Sequence, residues 1–315
     1  MLSRTADHLF WMSRYIERAE NLARLLDVTW QMSLVPQSEE AANQSWNAII
    51  ALNSLEEAYA ERYATVNGEN VLRFMVTDHD NYASIYSCLR MARENAHAVR
   101  GTLTTEMWET LNATWLEARQ MSFEQIINGG IGDFFEWVKM RSSLTRGTTL
   151  GTLLQDEAFH FIRLGTLLER ADNTARILDV KYHVLRPHED EGATDFYQWG
   201  ALLRSVSGFE VYRKVYRDVI TPERVAELLI LHSDMPRSLR FCLNGVVKNL
   251  ELVANRQSDE TLRQAGQLYS QLRYGRIEDI LKDGLHEWLT DFMDRIYLLG
   301  DGISQNFLVP MTETA

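Results

Sequence analysis

Between Met12 and Leu26 the apolar residues Met12, Tyr15, Ile16, Ala19, Leu22, Ala23 and Leu26 recur at the spacing of one broad helix face. Glu17, Asn21 and Arg24 lie opposite as a narrow polar strip whose ends are crowded by Phe10, Leu25 and Val28. A helix that is apolar nearly all round is a buried one. Charges on it need partners, because an isolated buried charge costs several kcal/mol or more.

The pattern returns 152 residues later. YIERAENLARLLDV at 15–28 and LLERADNTARILDV at 167–180 agree at nine of fourteen positions, so Glu169, Asn173 and Arg176 repeat the strip. His8 falls on His160 and, at offsets of 152 to 154, Trp46 falls on Trp199, Tyr59 on Tyr212, Tyr63 on Tyr216, Asp80 on Asp234, Ser84 on Ser238 and Cys88 on Cys242. A weaker echo sets Glu136-Trp137 against Glu287-Trp288. This self-similarity predicts a tandem duplication with halves at 1–150 and 151–315.

Only five prolines occur and alternating β-branched runs are absent, so most of the chain is free to be helical. The periodicity predicts helices near 5–33, 43–66, 80–101, 104–127, 133–147, 150–185, 194–217, 222–232, 236–254, 258–273 and 285–306. Asp133 with Glu136 has capping-box spacing, and Thr221 before Pro222 places a cap ahead of a proline in the first turn. Connections are expected at 36–43, at Asn128-Gly129-Gly130 and at RPHEDEG, 186–192. None is long enough to be a free linker. The expected fold is therefore all-α, an internally duplicated helical bundle whose two pseudo-two-fold-related halves pack as one body with the two strip helices near the axis.

Composition adds exclusions. With 45% hydrophobic and 24% charged residues the chain is globular, and its net charge of −12 argues against nucleic acid or an anionic membrane as partner. Cys88 and Cys242 read as packed thiols, which fits a reducing cytoplasm. The charged N-terminus lacks the apolar stretch of a signal peptide, and no run approaches the length of a membrane span.

The two strips admit two readings: a buried polar network that fixes helix register, or carboxylates and guanidiniums lining a cleft for a carboxylate- or phosphate-bearing ligand. In MPRSLR, 235–240, Arg237, Ser238 and Arg240 crowd a helix start and read either as a candidate anion site or as an ordinary capped helix start with solvated arginines. Glu94-x-x-His97 and Glu157-x-x-His160 have the spacing of carboxylate-bridged metal bundles. The repeat sets Thr5 where Glu157 needs its counterpart, so no metal site is expected. RGTTLGTLL at 146–154 reads as a close helix approach or a turn. Phosphate-loop, dinucleotide and nucleophile-elbow motifs are missing, and no cofactor is expected.

WMSRYIERAENLARLLDV and DEAFHFIRLGTLLERADNTARILDV, with RENAHAVR at 93–100, WETLN at 108–112 and PRS at 236–238, resemble the bacterial alpha-E family. That family takes its name from an all-helical fold and a Glu-Arg motif. The resemblance implies a setting: such proteins are encoded beside, or fused to, a circularly permuted ATP-grasp ligase, often with a transglutaminase-like protein nearby. It implies a non-catalytic or substrate-presenting partner of a peptide or amide ligase, acting on a small peptide or protein tag. An enzyme in its own right, using a cleft between the halves, is the alternative, and a metal-carboxylate bundle a third. The candidate ligand-binding positions are Glu17, Arg18, Asn21, Arg24, Glu169, Arg170, Asn173 and Arg176.

Overall fold

The apolar stripes found in the sequence become helices throughout the computed structural model, which describes residues 1–34, 38–184 and 192–308, without the side chains of 181–184 and 192–196. In chain order the first eight are α1 (Ser3–Ser33), α2 (Glu39–Leu52), α3 (Glu56–Ala60), α4 (Gly68–Val76), α5 (Ile85–Ala98), α6 (Thr105–Ala118), α7 (Phe123–Gly129) and α8 (Ile131–Thr152). Eight more follow: α9 (Glu157–Val184), α10 (Gly192–Ser205), α11 (Phe209–Tyr216), α12 (Pro222–Leu231), α13 (Leu239–Val253), α14 (Asp259–Tyr274), α15 (Ile277–Asp283) and α16 (Leu285–Ile303), the last running into a π-helical turn. No strand occurs among the described residues.

Several helices are shorter than the periodicity predicts, for a local reason. Ser54 and Ser207 both take a left-handed conformation, φ 54° and 53°. The following N–H groups, of Leu55 and Gly208, reach back to the carbonyls of Ile50 and Leu203 and close the preceding helices. The stretches 43–66 and 194–217 are each broken there. α2 starts at Glu39, inside the expected connection, because the Ser38 side chain accepts from Ala41 N. α4 was not foreseen and is capped by Asn67. The Thr221 cap with Pro222 forms as expected. Asp133 does not cap: α8 starts from Gly130 at φ 99°, as α16 starts from Gly284 at φ 100°. Those two glycines stand 154 apart, a register in which Glu136-Trp137 does not fall on Glu287-Trp288. The capping box belongs instead to Ser122 and Gln125. The expected connection at 186–192 lies outside the described residues except for Gly192, which opens α10.

One continuous apolar core draws on both stretches of the chain. At its centre α1 packs against α9, α5 and α8, while α9 packs against α1, α13 and α16. Contacts rise together along α1 and α9, from Met1 with Glu157, through Ser13 beside Gly165, to Arg18 with Glu169. The two long helices therefore run side by side in the same direction. Gly165 permits this, since a Cβ there would collide with Ser13 Oγ and the Phe10 carbonyl. Gly147 and Gly151 meet nothing, so of the two readings of 146–154 the close approach is not found, while α8 does end within that run, at Thr152. Matching bonds recur at repeat positions. His8 Nδ1 bonds Asn95 Oδ1 at 2.8 Å and His160 Nδ1 bonds Asn249 Oδ1 at 2.9 Å. Tyr59 and Tyr212 each donate to a carbonyl just beyond their own helix.

Candidate functional site: the seam between the two central helices

Because α1 and α9 lie parallel, Glu17-Arg18 faces Glu169-Arg170, and the two motifs exchange partners. Arg170 donates through Nε to Glu17 Oε1 at 2.9 Å and through Nη2 to Oε2 at 2.8 Å. Reciprocally, Arg18 donates to Glu169 through Nε at 2.6 Å and Nη2 at 3.1 Å. These are bidentate, charge-assisted pairs, the geometry for which a guanidinium is suited and a lysine is not. The two glutamates are almost fully buried. Burial raises the Glu169 pKa, but Arg18 and Arg14 overcome it and hold the carboxyl at about 2. Glu17 is likewise lowered: burial opposes ionisation, and Arg170 and Arg237 outweigh it.

Beyond this exchange the two sides of the seam differ. On the Glu17 side, Arg237 reaches in from the turn before α13. Its Nη1 donates to Asn21 Oδ1 at 2.6 Å and to Glu17 Oε1 at 3.1 Å, and its Nη2 to Glu20 Oε1 at 2.8 Å. Arg146 of α8 bonds Glu20, Ser142 donates to Glu20 Oε2 at 2.6 Å, and Arg24 donates to Glu20 Oε1 at 2.9 Å. Two carboxylates thus hold four guanidiniums, and this side is closed except for a small pocket of about 30 Å³ lined by Ser13, Glu17, Thr145, Arg146 and Arg163 among others.

On the Glu169 side, Arg14 adds a bond to Glu169 at 2.8 Å and Arg176 pairs with Asp172 at 2.8 Å. The position equivalent to Arg237, in the register that sets Ser84 on Ser238, is Ala83. This side is open. A cleft of about 260 Å³ is lined by Arg18, Asn21, Asn173, Arg176, Glu169 and Asp172, with Leu22, Leu25, Leu52, Asn53, Ser54, Tyr82 and Ala83 around them. Asn21 Nδ2 and Asn173 Oδ1 are buried without a hydrogen-bond partner. The bond from Arg237 to Asn21 Oδ1 fixes that amide, so its unpaired end is the donor.

Of the eight candidate ligand-binding positions, five line this cleft: Arg18, Asn21, Glu169, Asn173 and Arg176. Glu17 and Arg170 form the other bidentate pair, and Arg24 serves Glu20. The anion site expected of Arg237, Ser238 and Arg240 does not form. Arg237 is spent on Glu17, Glu20 and Asn21, Ser238 caps α13, and Arg240 donates to the Leu231 carbonyl. Sequence reasoning missed the roles of Arg14 and Arg146. Neither has an arginine at its repeat position, where Thr166 and Gly300 stand, so the repeat could not flag them. Glu94 pairs with Arg93, His97 packs on Trp108, Glu157 pairs with the N-terminal amine and His160 bonds Asn249, so the four fall into separate environments. No group of three metal-ligating side chains occurs among the described residues. Burial pushes the thiols of Cys88 and Cys242 up to about 12, so neither is a nucleophile near neutral pH.

Fold and seam together define an all-helical protein built on an exchanged pair of Glu-Arg motifs. The chain belongs to the Alpha-E family, whose model, described as a predicted alpha-helical domain with a conserved ER motif, matches residues 1–308. It is similar to uncharacterized proteins of Mycobacterium tuberculosis and Mycobacterium bovis, 23% identical over 93% of this chain. The chain spans about a third of the length of these curated relatives, 35%. No solved structure matches it. No described helix is long and apolar enough to cross a membrane.

Proposed function

We propose that the chain is a duplicated, pseudo-two-fold helical scaffold of the cytoplasm that binds a peptide at the open side of the seam. It presents that peptide to an ATP-grasp amide ligase without itself catalysing the reaction. The observation that carries this reading is the pair of unpaired amide atoms in the cleft. A buried donor and a buried acceptor left without partners each cost about 1–3 kcal/mol, an expense that a peptide group, with one C=O and one N–H, offsets on binding. The groups around them are suited to holding rather than to chemistry. Glu169 is kept ionised by two arginines and is a poor proton acceptor, and both cysteines are sealed away from the cleft. The resemblance to proteins found beside ATP-grasp ligases supplies the partner. The greater length of the mycobacterial relatives accords with a module that works alongside further sequence.

The test is reconstitution with the ATP-grasp protein and the transglutaminase-like protein of the same genome, measuring ATP consumption and amide product with each component omitted. Product is expected only with ligase and this chain together, and Asn173→Leu should abolish this chain's contribution while leaving its fold intact. Turnover by this chain without the ligase would replace the reading with that of an enzyme in its own right. Ligase output independent of this chain would remove it.

A further inference from the structure

The closed side of the seam shows what the open side is built to receive. Ala83 and Arg237 occupy the same place in the same local structure. Each precedes the N-cap serine of its helix, Ser84 of α5 or Ser238 of α13, and each cap accepts from the backbone N–H three residues on. Ser84 N bonds the Asn81 carbonyl and Ser238 N the Met235 carbonyl, and the two serine hydroxyls donate to the carbonyls of Asp78 and His232. The turns are the same. The side chains mostly differ, Asn81-Tyr82-Ala83 standing against Met235-Pro236-Arg237, and of these Arg237 is the one that reaches the carboxylates of α1.

The acceptors facing those two positions also correspond. Arg237 is bonded by Glu17, Glu20 and Asn21 Oδ1, and their repeat equivalents Glu169, Asp172 and Asn173 all line the cleft beside Ala83. Asn173 Oδ1 is the buried acceptor left unpaired, and Asn21 Oδ1, its equivalent, is the atom to which Arg237 donates at 2.6 Å. The surrounding charge matches too. Without Arg237, the closed side has Arg24, Arg146 and Arg170 on its two carboxylates; the open side has Arg14, Arg18 and Arg176 on its two. The closed side takes a fourth guanidinium on top of those three.

We infer that the open cleft is a receptor for a guanidinium supplied from outside, the side chain of an arginine residue, which takes the place that Arg237 takes in the closed half. Its Nη groups bond Asn173 Oδ1 and the Asp172 carboxylate. Its methylenes lie along Leu22, Leu25 and Leu52, and Tyr82 at the rim, largely exposed, offers a ring face for stacking. Asn21 Nδ2, on the far wall, then serves the ligand's carbonyl. This rests on the cleft being the peptide site of the reading above, and names the group it selects.

The test is calorimetric titration of the whole chain with L-arginine, with a short peptide carrying one internal arginine, and with L-citrulline, L-lysine and L-glutamate. Arginine in one or both forms should bind. Citrulline, which has the same shape but turns a carbonyl toward acceptors and carries no charge, should bind about tenfold more weakly or worse. Equal binding of free arginine and peptide would identify the amino acid as sufficient, whereas binding of the peptide alone would identify an arginine within a chain. Ala83→Arg, which supplies the guanidinium internally, should abolish binding with the fold retained by circular dichroism, and Asn173→Leu should weaken it. Citrulline or glutamate binding as well as arginine, full binding by Ala83→Arg, or no binding of either arginine form would overturn the inference. The last result, together with cleft-dependent ligase output, would leave the presenting role standing without this specificity. Arginine binding with no effect on any ligase would do the reverse.

Discussion

Glu17 and Glu169 are the same residue of a repeated motif, each clamped by the other copy's arginine, yet one sits in a sealed network and the other at the wall of a cleft. The two closest guanidiniums on Glu17, of Arg170 and Arg237, come from side chains that are 9% exposed and a third, Arg146 at 3.5 Å, is 26% exposed, whereas those on Glu169, Arg14 and Arg18, are 19% and 24% exposed. The motif itself is symmetric. What separates the sides is the flanking turn, Tyr82-Ala83 against Pro236-Arg237, together with helper arginines drawn from non-equivalent places. The helical scaffold thus keeps one Glu-Arg motif as structure and leaves the other accessible.

The largest effects should come from breaking the sealed side. Glu17→Gln leaves Arg170 and Arg237 facing a neutral amide in a buried setting, and breaking such a network costs roughly 3–5 kcal/mol, so thermal unfolding should show a melting temperature lower by on the order of 10 °C. Glu169→Gln should lose less, because water reaches its arginines. Equal losses would erase the distinction between the sides.

Acid should come next. The Glu169 carboxyl is held at about 2 against an ordinary value of 4.5, so its stabilisation is present above about pH 4.5 and is lost as pH falls toward 2. The depressed shift corresponds to about 3 kcal/mol. Glu17 and Glu20, also lowered, add in the same direction. Urea unfolding between pH 7 and pH 3 should show this decline, and Glu169→Gln should flatten part of it. A slope unchanged by that substitution would contradict the assigned pairing.

Gly165→Ala should destabilise by about 1–3 kcal/mol through overpacking at the helix crossing. Gly147→Ala, in an open stretch of α8, should be neutral or stabilising by about 0.5–1 kcal/mol. The smallest effect is Arg176→Gln, which removes a partly exposed i, i+4 pair worth about 0.2–0.5 kcal/mol and should change ligand binding more than melting.

Much of this was legible in the chain. The apolar wheel around Glu17 announced a buried helix, but the strips singled out Arg24 and Arg176, which bond within their own helices, and not Arg18 and Arg170, which make the exchange. Glu20–Arg24 and Asp172–Arg176 stand at the i, i+4 spacing of helical ion pairs, and both pairs form. What the pattern could not show is which way a side chain turns at a helix start. Arg237 read either as part of an anion site or as a solvated arginine at a capped helix start, but the turn before Ser238 aims it inward. Arg146 sits on a helix with no arginine at its repeat position, so only packing brings it to Glu20. The breaks at Ser54 and Ser207 were hidden because serine carries no glycine-like signal for a left-handed backbone. The register that sets Ala83 on Arg237 was present in the sequence, but its meaning depends on knowing what Arg237 touches.

The most direct test of the claim that the two sides are one site, closed by Arg237 and left open at Ala83, is the melting temperature of Ala83→Arg. If the sides correspond, the new guanidinium reaches Asn173 and Asp172, gives the buried Asn173 oxygen a partner, and the variant melts above the parent chain. A lower melting temperature, from a guanidinium buried without partners, would show that the cleft is not the counterpart of the Arg237 site and would contradict the account.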